Sequence, residues 1–118
     1  VSGQLPLGPD GKIAPAHLGR VQADVTPEAA KDAARLCAIN VLAQLRSALG
    51  DLDQVRGCVR LGGFIASPSE FTGHAAIMNG ASDLMVEVFG EAGRHARSTI
   101  GVAGLPLGAC VEVEGMFE

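Results

Sequence analysis

Arg97, Ser98, Thr99, Glu112 and Glu114 crowd into one stretch near the end of the chain, Arg94–Glu118, RHARSTIGVAGLPLGACVEVEGMFE. The guanidinium of an Arg is planar and presents a fork of N–H groups. Arg97 is therefore suited to hold a small carboxylate through two parallel charge-assisted hydrogen bonds. A Glu beside it could hold a water or move a proton. The same residue types also make ordinary cross-strand ion pairs that only stabilise a sheet. The residues alone leave both readings open.

Those side chains need strands to aim them. Ser98 to Ala103 and Ala109 to Phe117 are short, rich in small and β-branched residues, and bounded by Gly and Pro. They read as two strands joined by a tight loop around Leu105-Pro106-Leu107-Gly108. Alternation puts Arg97, Thr99 and Gly101 on one face of the first strand, and Glu112 and Glu114 on one face of the second. Pairing Gly104 with Ala109 as a hairpin sets Gly101 opposite Glu112 and Thr99 opposite Glu114. Arg, hydroxyl and carboxylates then share a face, with Ile100 and Val102 on the other. A slip of one residue would separate the two sets.

The chain before this hairpin reads as scaffold. Val1-Ser2-Gly3-Gln4 resembles the middle of a strand, Gly8-Pro9-Asp10-Gly11 is a turn, and Lys12 to Ala14 is a candidate short strand. His17 to Asp24 is polar and irregular, with His17 expected at the surface. Thr26-Pro27-Glu28 opens a helix, with Thr to cap, Pro at the first helical position and Glu at the positive end of the dipole. Ala30, Ala34, Cys37, Ala38, Val41, Leu42, Leu45 and Leu49 form its apolar stripe, and Gly50 ends it. Val55 to Ile65 is a strand with Val55, Val59, Leu61 and Ile65 of one parity. Its Gly62-Gly63 pair marks a bulge or a close approach of another backbone. Ile77 to Phe89 is a second helix, striped by Ile77, Ala81, Leu84, Met85 and Val88 and closed by Gly90. Asn79 falls near its start, where N-terminal capping is one account of it. His95, beside Arg97, is a loop histidine that could titrate near neutrality or serve structure alone.

This order, with two helices laid on one face of a mixed sheet, predicts a two-layer α+β domain over residues 1–118. The chain has 118 residues, 47% of them hydrophobic, which suffices for one core. With Trp and Tyr absent, that core is built from Val, Leu, Ile, Ala and Met. A net charge of −4 speaks against a nucleic-acid footprint, which needs clustered Lys and Arg. No apolar run approaches the about 18 residues of a membrane span, and no signal peptide is evident. Cys37, Cys58 and Cys110 read as reduced, buried thiols of a cytoplasmic protein. His17, His74 and His95 are dispersed, so neither a metal site nor a cofactor is expected.

The signature stretch resembles that of the Rid family, the reactive intermediate deaminases, also called YjgF-like or endoribonuclease L-PSP. Ala96-Arg97-Ser98, Val102-Ala103, Leu105-Pro106, Gly108-Ala109 and Val111-Glu112-Val113-Glu114 follow the family pattern in order and spacing. Val1-Ser2-Gly3-Gln4-Leu5-Pro6 resembles its early strand. The resemblance implies a chorismate-mutase-like fold and homotrimers with a cleft at each subunit interface. It also implies an additional N-terminal strand that this stretch of chain has no room for, in a region where the family usually carries an active-site aromatic, often Tyr.

For function, the resemblance implies hydrolysis of 2-enamine or 2-imine acids to 2-oxo acids and ammonia, in a divergent subgroup. Arg97 would bind the substrate carboxylate and Glu112 would orient or activate the water. Ser2, Gly3, Asn79 and Thr99 would line the pocket, Thr99 standing where several deaminases have Cys. A non-catalytic carboxylate-binding protein is the alternative, modestly favoured by the long second helix and the absent Tyr. Ribonuclease or translation-inhibitor activity is a further label, which the acidic charge opposes.

Overall fold

The computed structural model describes all of residues 1–118. The principal elements are α1 (Pro27–Leu49), β1 (Cys58–Ala66), α2 (His74–Phe89), β2 (Ala96–Val102) and β3 (Val111–Phe117). Thr26 caps α1 by accepting a hydrogen bond on its side chain from the Ala29 N–H at 3.1 Å, with Pro27 in the first turn. Gly50 ends the helix at φ 84°, where its N–H reaches the Arg46 carbonyl. The small-residue stripe from Ala30 to Leu42 is buried, whereas Leu49 in the last turn is exposed.

α2 starts at His74, earlier than its periodicity suggests, with no side-chain cap at Gly73. Asn79 therefore lies inside the helix and does not cap it. Val88, expected in the stripe, is exposed. Gly80 lets the two helices approach closely, since a Cβ there would run into the Lys31 carbonyl of α1.

The sheet corrects the expected hairpin. Its order is β2-β1-β3, with β2 parallel and β3 antiparallel to β1. β2 and β3 are not neighbours; β1 lies between them. A strand–helix–strand run closes as a parallel crossover, so β1, α2 and β2 form one unit and leave the other edge of β1 for β3. The connection from Ala103 to Cys110 spans the gap through a turn at Pro106–Gly108, with Leu107 at φ 58°. Val1–Gln4 lies along the outer edge of β3, where Gln4 and Val113 exchange backbone hydrogen bonds of 2.7 and 3.0 Å.

The irregularity of β1 falls between Cys58 and Arg60, not at Gly62-Gly63, and it turns Val59 outward. Gly63 instead marks a close approach, because a Cβ there would meet the Met78 sulfur of α2. Both helices cover one face of the sheet. Leu61, Ile65, Val111 and Val113 seal the core beneath them, joined by Val21 and Val25. His17 is half-buried rather than at the surface, its carbonyl accepting from the Cys110 N–H. The three thiols are buried and unpaired. Burial pushes Cys58 and Cys110 up to about 11, and Cys37 higher still, so all three stay protonated at neutral pH.

Candidate functional site

Register decides which side chains meet. Leu61 pairs with Arg97 and Gly115, Gly63 with Thr99 and Val113, and Ile65 with Gly101 and Val111. Directly paired residues share a face, so Arg97, Thr99 and Gly101 point toward the helices alongside Val111 and Val113. Glu112 shares a row with Phe64 and Ile100, and Glu114 with Gly62 and Ser98. These project from the opposite, uncovered face. The expected grouping of Arg97 and Thr99 with Glu112 and Glu114 on one face is therefore wrong within a single chain. Val111 and Val113 belong to the core, while Ile100 and Val102 stay on the open face.

Arg97 is held at the base of α2. Its Nη1 donates to Ser82 Oγ at 3.0 Å and its Nη2 to the Ala75 carbonyl at 3.2 Å. The remaining N–H groups of the guanidinium are left for a ligand. Ala75, Asn79 and Ser82 recur at helical spacing on one face of α2, so Asn79 stands on the side of the helix that carries both anchors of Arg97. The Thr99 hydroxyl is buried against the helix layer with no hydrogen-bond partner.

Beside Arg97, the sequence offered only a loop histidine whose role stayed open. His95 Nε2 lies 2.8 Å from Ser82 Oγ, and its Nδ1 lies 2.6 Å from the Gly93 carbonyl. A carbonyl only accepts, so Nδ1 carries a proton; in the neutral ring Nε2 then accepts from the Ser82 hydroxyl. Ser82 carries no signal in the sequence, since a serine within a helix is ordinary. Ser82, Asp83, Val86, Arg94, His95 and Arg97 line a cleft of about 280 Å³.

The remaining expected residues gather on the other side of the sheet. Glu112 lies over Gly3, where any Cβ would run into its carboxylate. Ser2 borders a second cleft with Arg60 and Glu114, whose side chains form an ion pair at 3.7 Å. The half-exposed pair contributes little to stability. Arg97, Asn79 and Thr99 thus lie on the helix side of the sheet, and Glu112, Gly3 and Ser2 on the other. Ile100 and Met116 are exposed on this open face, among Glu112, Glu114 and Ser98. No group of three His, Cys, Asp or Glu side chains comes together to hold a metal ion, and no helix is long and apolar enough to cross a membrane.

The family described as "YjgF/chorismate_mutase-like, putative endoribonuclease" matches residues 1–117. Protein TCP17 of Trypanosoma cruzi is 48% identical over 119 residues, covering 100% of this chain and 72% of that protein. The structure of Atu1372 from Agrobacterium tumefaciens, a protein of unknown function, superposes with a TM-score of 0.95 at 49% identity, over 100% of this chain and 74% of that one. TdcF of Escherichia coli, solved with bound serine, is more distant: TM-score 0.62 and 26% identity, over 98% of this chain and 75% of that one.

Proposed function

We propose, from the premise that this chain belongs to the YjgF/chorismate-mutase-like (Rid) family, that it hydrolyses reactive 2-imino or 2-enamine acids to 2-oxo acids and ammonia in a cleft completed by a second copy of the chain. The observation that carries this reading is Arg97: a guanidinium tethered by two of its N–H groups, with others free, at the mouth of a cleft. Such a fork suits a planar α-carboxylate. The serine bound by the distant relative TdcF is a ligand of that size and charge. Hydrolysis of an imine needs a water and a route for protons, and no covalent nucleophile.

Glu112 is the residue the family resemblance gives to the water. In one chain it lies across the sheet from Arg97, so a working site takes Arg97 from one copy and Glu112 from a neighbour. The exposed Ile100 and Met116 supply an apolar surface on the Glu112 side for such an assembly, read here as the family's homotrimer. Burial of exposed apolar area drives association. Asn79 and the backbone at Thr99 line the Arg97 half; Gly3 and Ser2 line the Glu112 half.

The test is release of 2-oxobutanoate and ammonia from 2-iminobutanoate generated in place by an amino-acid oxidase. Arg97→Ala is expected to lose both turnover and 2-oxobutanoate binding, and Glu112→Ala turnover alone. Mixing and refolding the two inactive variants together should restore part of the activity, because some interfaces then hold an intact Arg97 and an intact Glu112. No restoration would sink the shared cleft. Binding without any turnover would leave a carboxylate-binding protein instead.

A further inference from the structure

Beside the Arg97 fork sits a hydrogen-bonded chain that neither the family resemblance nor the proposed reaction accounts for. Gly93 carbonyl, His95 Nδ1, His95 Nε2, Ser82 Oγ and Arg97 Nη1 follow one another at 2.6, 2.8 and 3.0 Å. With the ring neutral, the direction of each proton in it follows. The Gly93 carbonyl can only accept, which puts the His95 proton on Nδ1. Nε2 is then an acceptor and takes the Ser82 hydroxyl proton, while Ser82 Oγ accepts from Arg97, which can only donate. A hydroxyl bonded to a neutral imidazole whose other nitrogen is anchored is the arrangement of an activated hydroxyl with its base.

Purely structural ties would serve as well with a less demanding geometry. Here the chain leads from the backbone through an imidazole to the cation assigned to the ligand. Oγ keeps a lone pair after accepting from Arg97, and Ser82, His95 and Arg97 all line the same cleft. Other charged groups around it are Asp83 on α2 and Arg94 on the connection into β2, with Arg94 held by Glu91 at 3.1 Å.

We propose that Ser82 and His95 form the proton relay of the Arg97 site, Ser82 as the catalytic residue that touches the reacting water and His95 as the acceptor behind it. The proposal rests on the imine-hydrolysis reading. With the substrate carboxylate on the free N–H groups of Arg97, the iminium carbon lies within reach of a water on Ser82 Oγ. The water oxygen bonds to that carbon and the C=N π pair moves to nitrogen. The water's proton passes to Ser82 Oγ as the Ser82 proton passes to His95 Nε2, leaving a carbinolamine and an imidazolium. The proton then returns through Ser82 to the amine nitrogen. The C–N bond breaks as the C=O bond forms, and the departing ammonia takes the carbinol proton to leave as ammonium. One iminium and one water become one 2-oxo acid and one ammonium, with no oxidant or reductant. Glu112 of a neighbouring copy is left to orient the water.

The experiment compares wild type with Ser82→Ala and His95→Gln, using 2-iminobutanoate turnover across pH and calorimetric binding of 2-oxobutanoate. Gln places a polar atom where Nε2 stood and can still bond to Ser82, but it cannot exchange a proton. It therefore separates a structural tie from a relay. His95→Gln is expected to bind 2-oxobutanoate as wild type does and Ser82→Ala to bind it more weakly, because Arg97 loses one of its two tethers; both are expected to lose kcat by about a hundredfold, in the range of acid–base contributions. His95→Gln should also lose the acid limb of the kcat profile. Wild-type turnover preserved in both variants would overturn the relay and leave the deaminase reading standing. Absence of turnover in wild type, with binding intact, would overturn the deaminase reading and the relay with it.

Discussion

Two serine–histidine pairs lie along the helix side of β2, one at each end, and they differ in what stands behind the imidazole. At the start of β2, Ser82 and His95 are 2.8 Å apart, the second ring nitrogen is bonded to Gly93, and Arg97 donates to the same hydroxyl. At its far end, Ser67 Oγ and His74 Nε2 are 3.2 Å apart. The other His74 nitrogen has no protein partner, the ring packs edge-on against Phe71 at 5.1 Å between centroids, and the Ser67 hydroxyl has a competing acceptor in the Ile65 carbonyl at 3.4 Å. Residue types alone would rank the two equally. An unanchored ring can adopt either tautomer, so the second pair has no defined proton direction, and the cation beside it, Arg20, is bonded to a backbone carbonyl rather than to the hydroxyl. Only the first pair has its second ring nitrogen anchored and a cation donating to its hydroxyl.

The largest expected effect breaks the anchored pair through its backbone. Gly93 is buried, and a Cβ there would run into the Met85 carbonyl of α2. Backbone cannot swing aside as a side chain does, so Gly93→Ala should cost about 3 kcal/mol or more in urea unfolding. A variant as stable as wild type would show that the Gly93–His95 connection is not tightly held. Next, Gly101→Ala places a Cβ 2.7 Å from His74 Nε2 and 3.0 Å from Ser67 Oγ. It should force the unanchored pair apart, costing about 1–3 kcal/mol. Ser67→Ala should cost about 1 kcal/mol and leave imine turnover unchanged, against the hundredfold loss expected for Ser82→Ala. A comparable loss of turnover in Ser67→Ala would erase the distinction between the pairs. The smallest effect runs the other way. The buried Thr99 hydroxyl has no partner, so Thr99→Val should raise stability by about 1 kcal/mol by removing an unsatisfied polar group. A loss of stability would mean that the hydroxyl is satisfied in the assembled protein.

Much of this scaffold was legible before folding. The Thr26 cap, Pro27, the small-residue stripe of α1 and the Gly50 and Gly90 stops are local, and local signals survive into tertiary structure. So does the parity within each strand: Arg97 with Thr99, Glu112 with Glu114. What misled was the step from parity to partnership. Leu105-Pro106-Leu107-Gly108 is turn chemistry, yet the turn belongs to a longer connection that leaves one edge of β1 and returns on the other. His95 and Ser82 escaped for a related reason, because they are thirteen residues apart on different elements and no spacing rule links them.

By itself, then, the sequence determined the elements, their ends, the apolar stripes and the family, all of which depend on neighbours a few residues away or on a motif read in order. Tertiary structure alone decided that β1 would lie between β2 and β3, and thereby which face each strand's parity meets. That one insertion sends Arg97 to the helices and Glu112 to the open face. A strand has two identical hydrogen-bonding edges, and alternation along it says nothing about which neighbour each edge takes. Only the crossover through α2, packed on α1 above the sheet, settles the choice. In doing so it sets His95, Ser82 and Arg97 side by side.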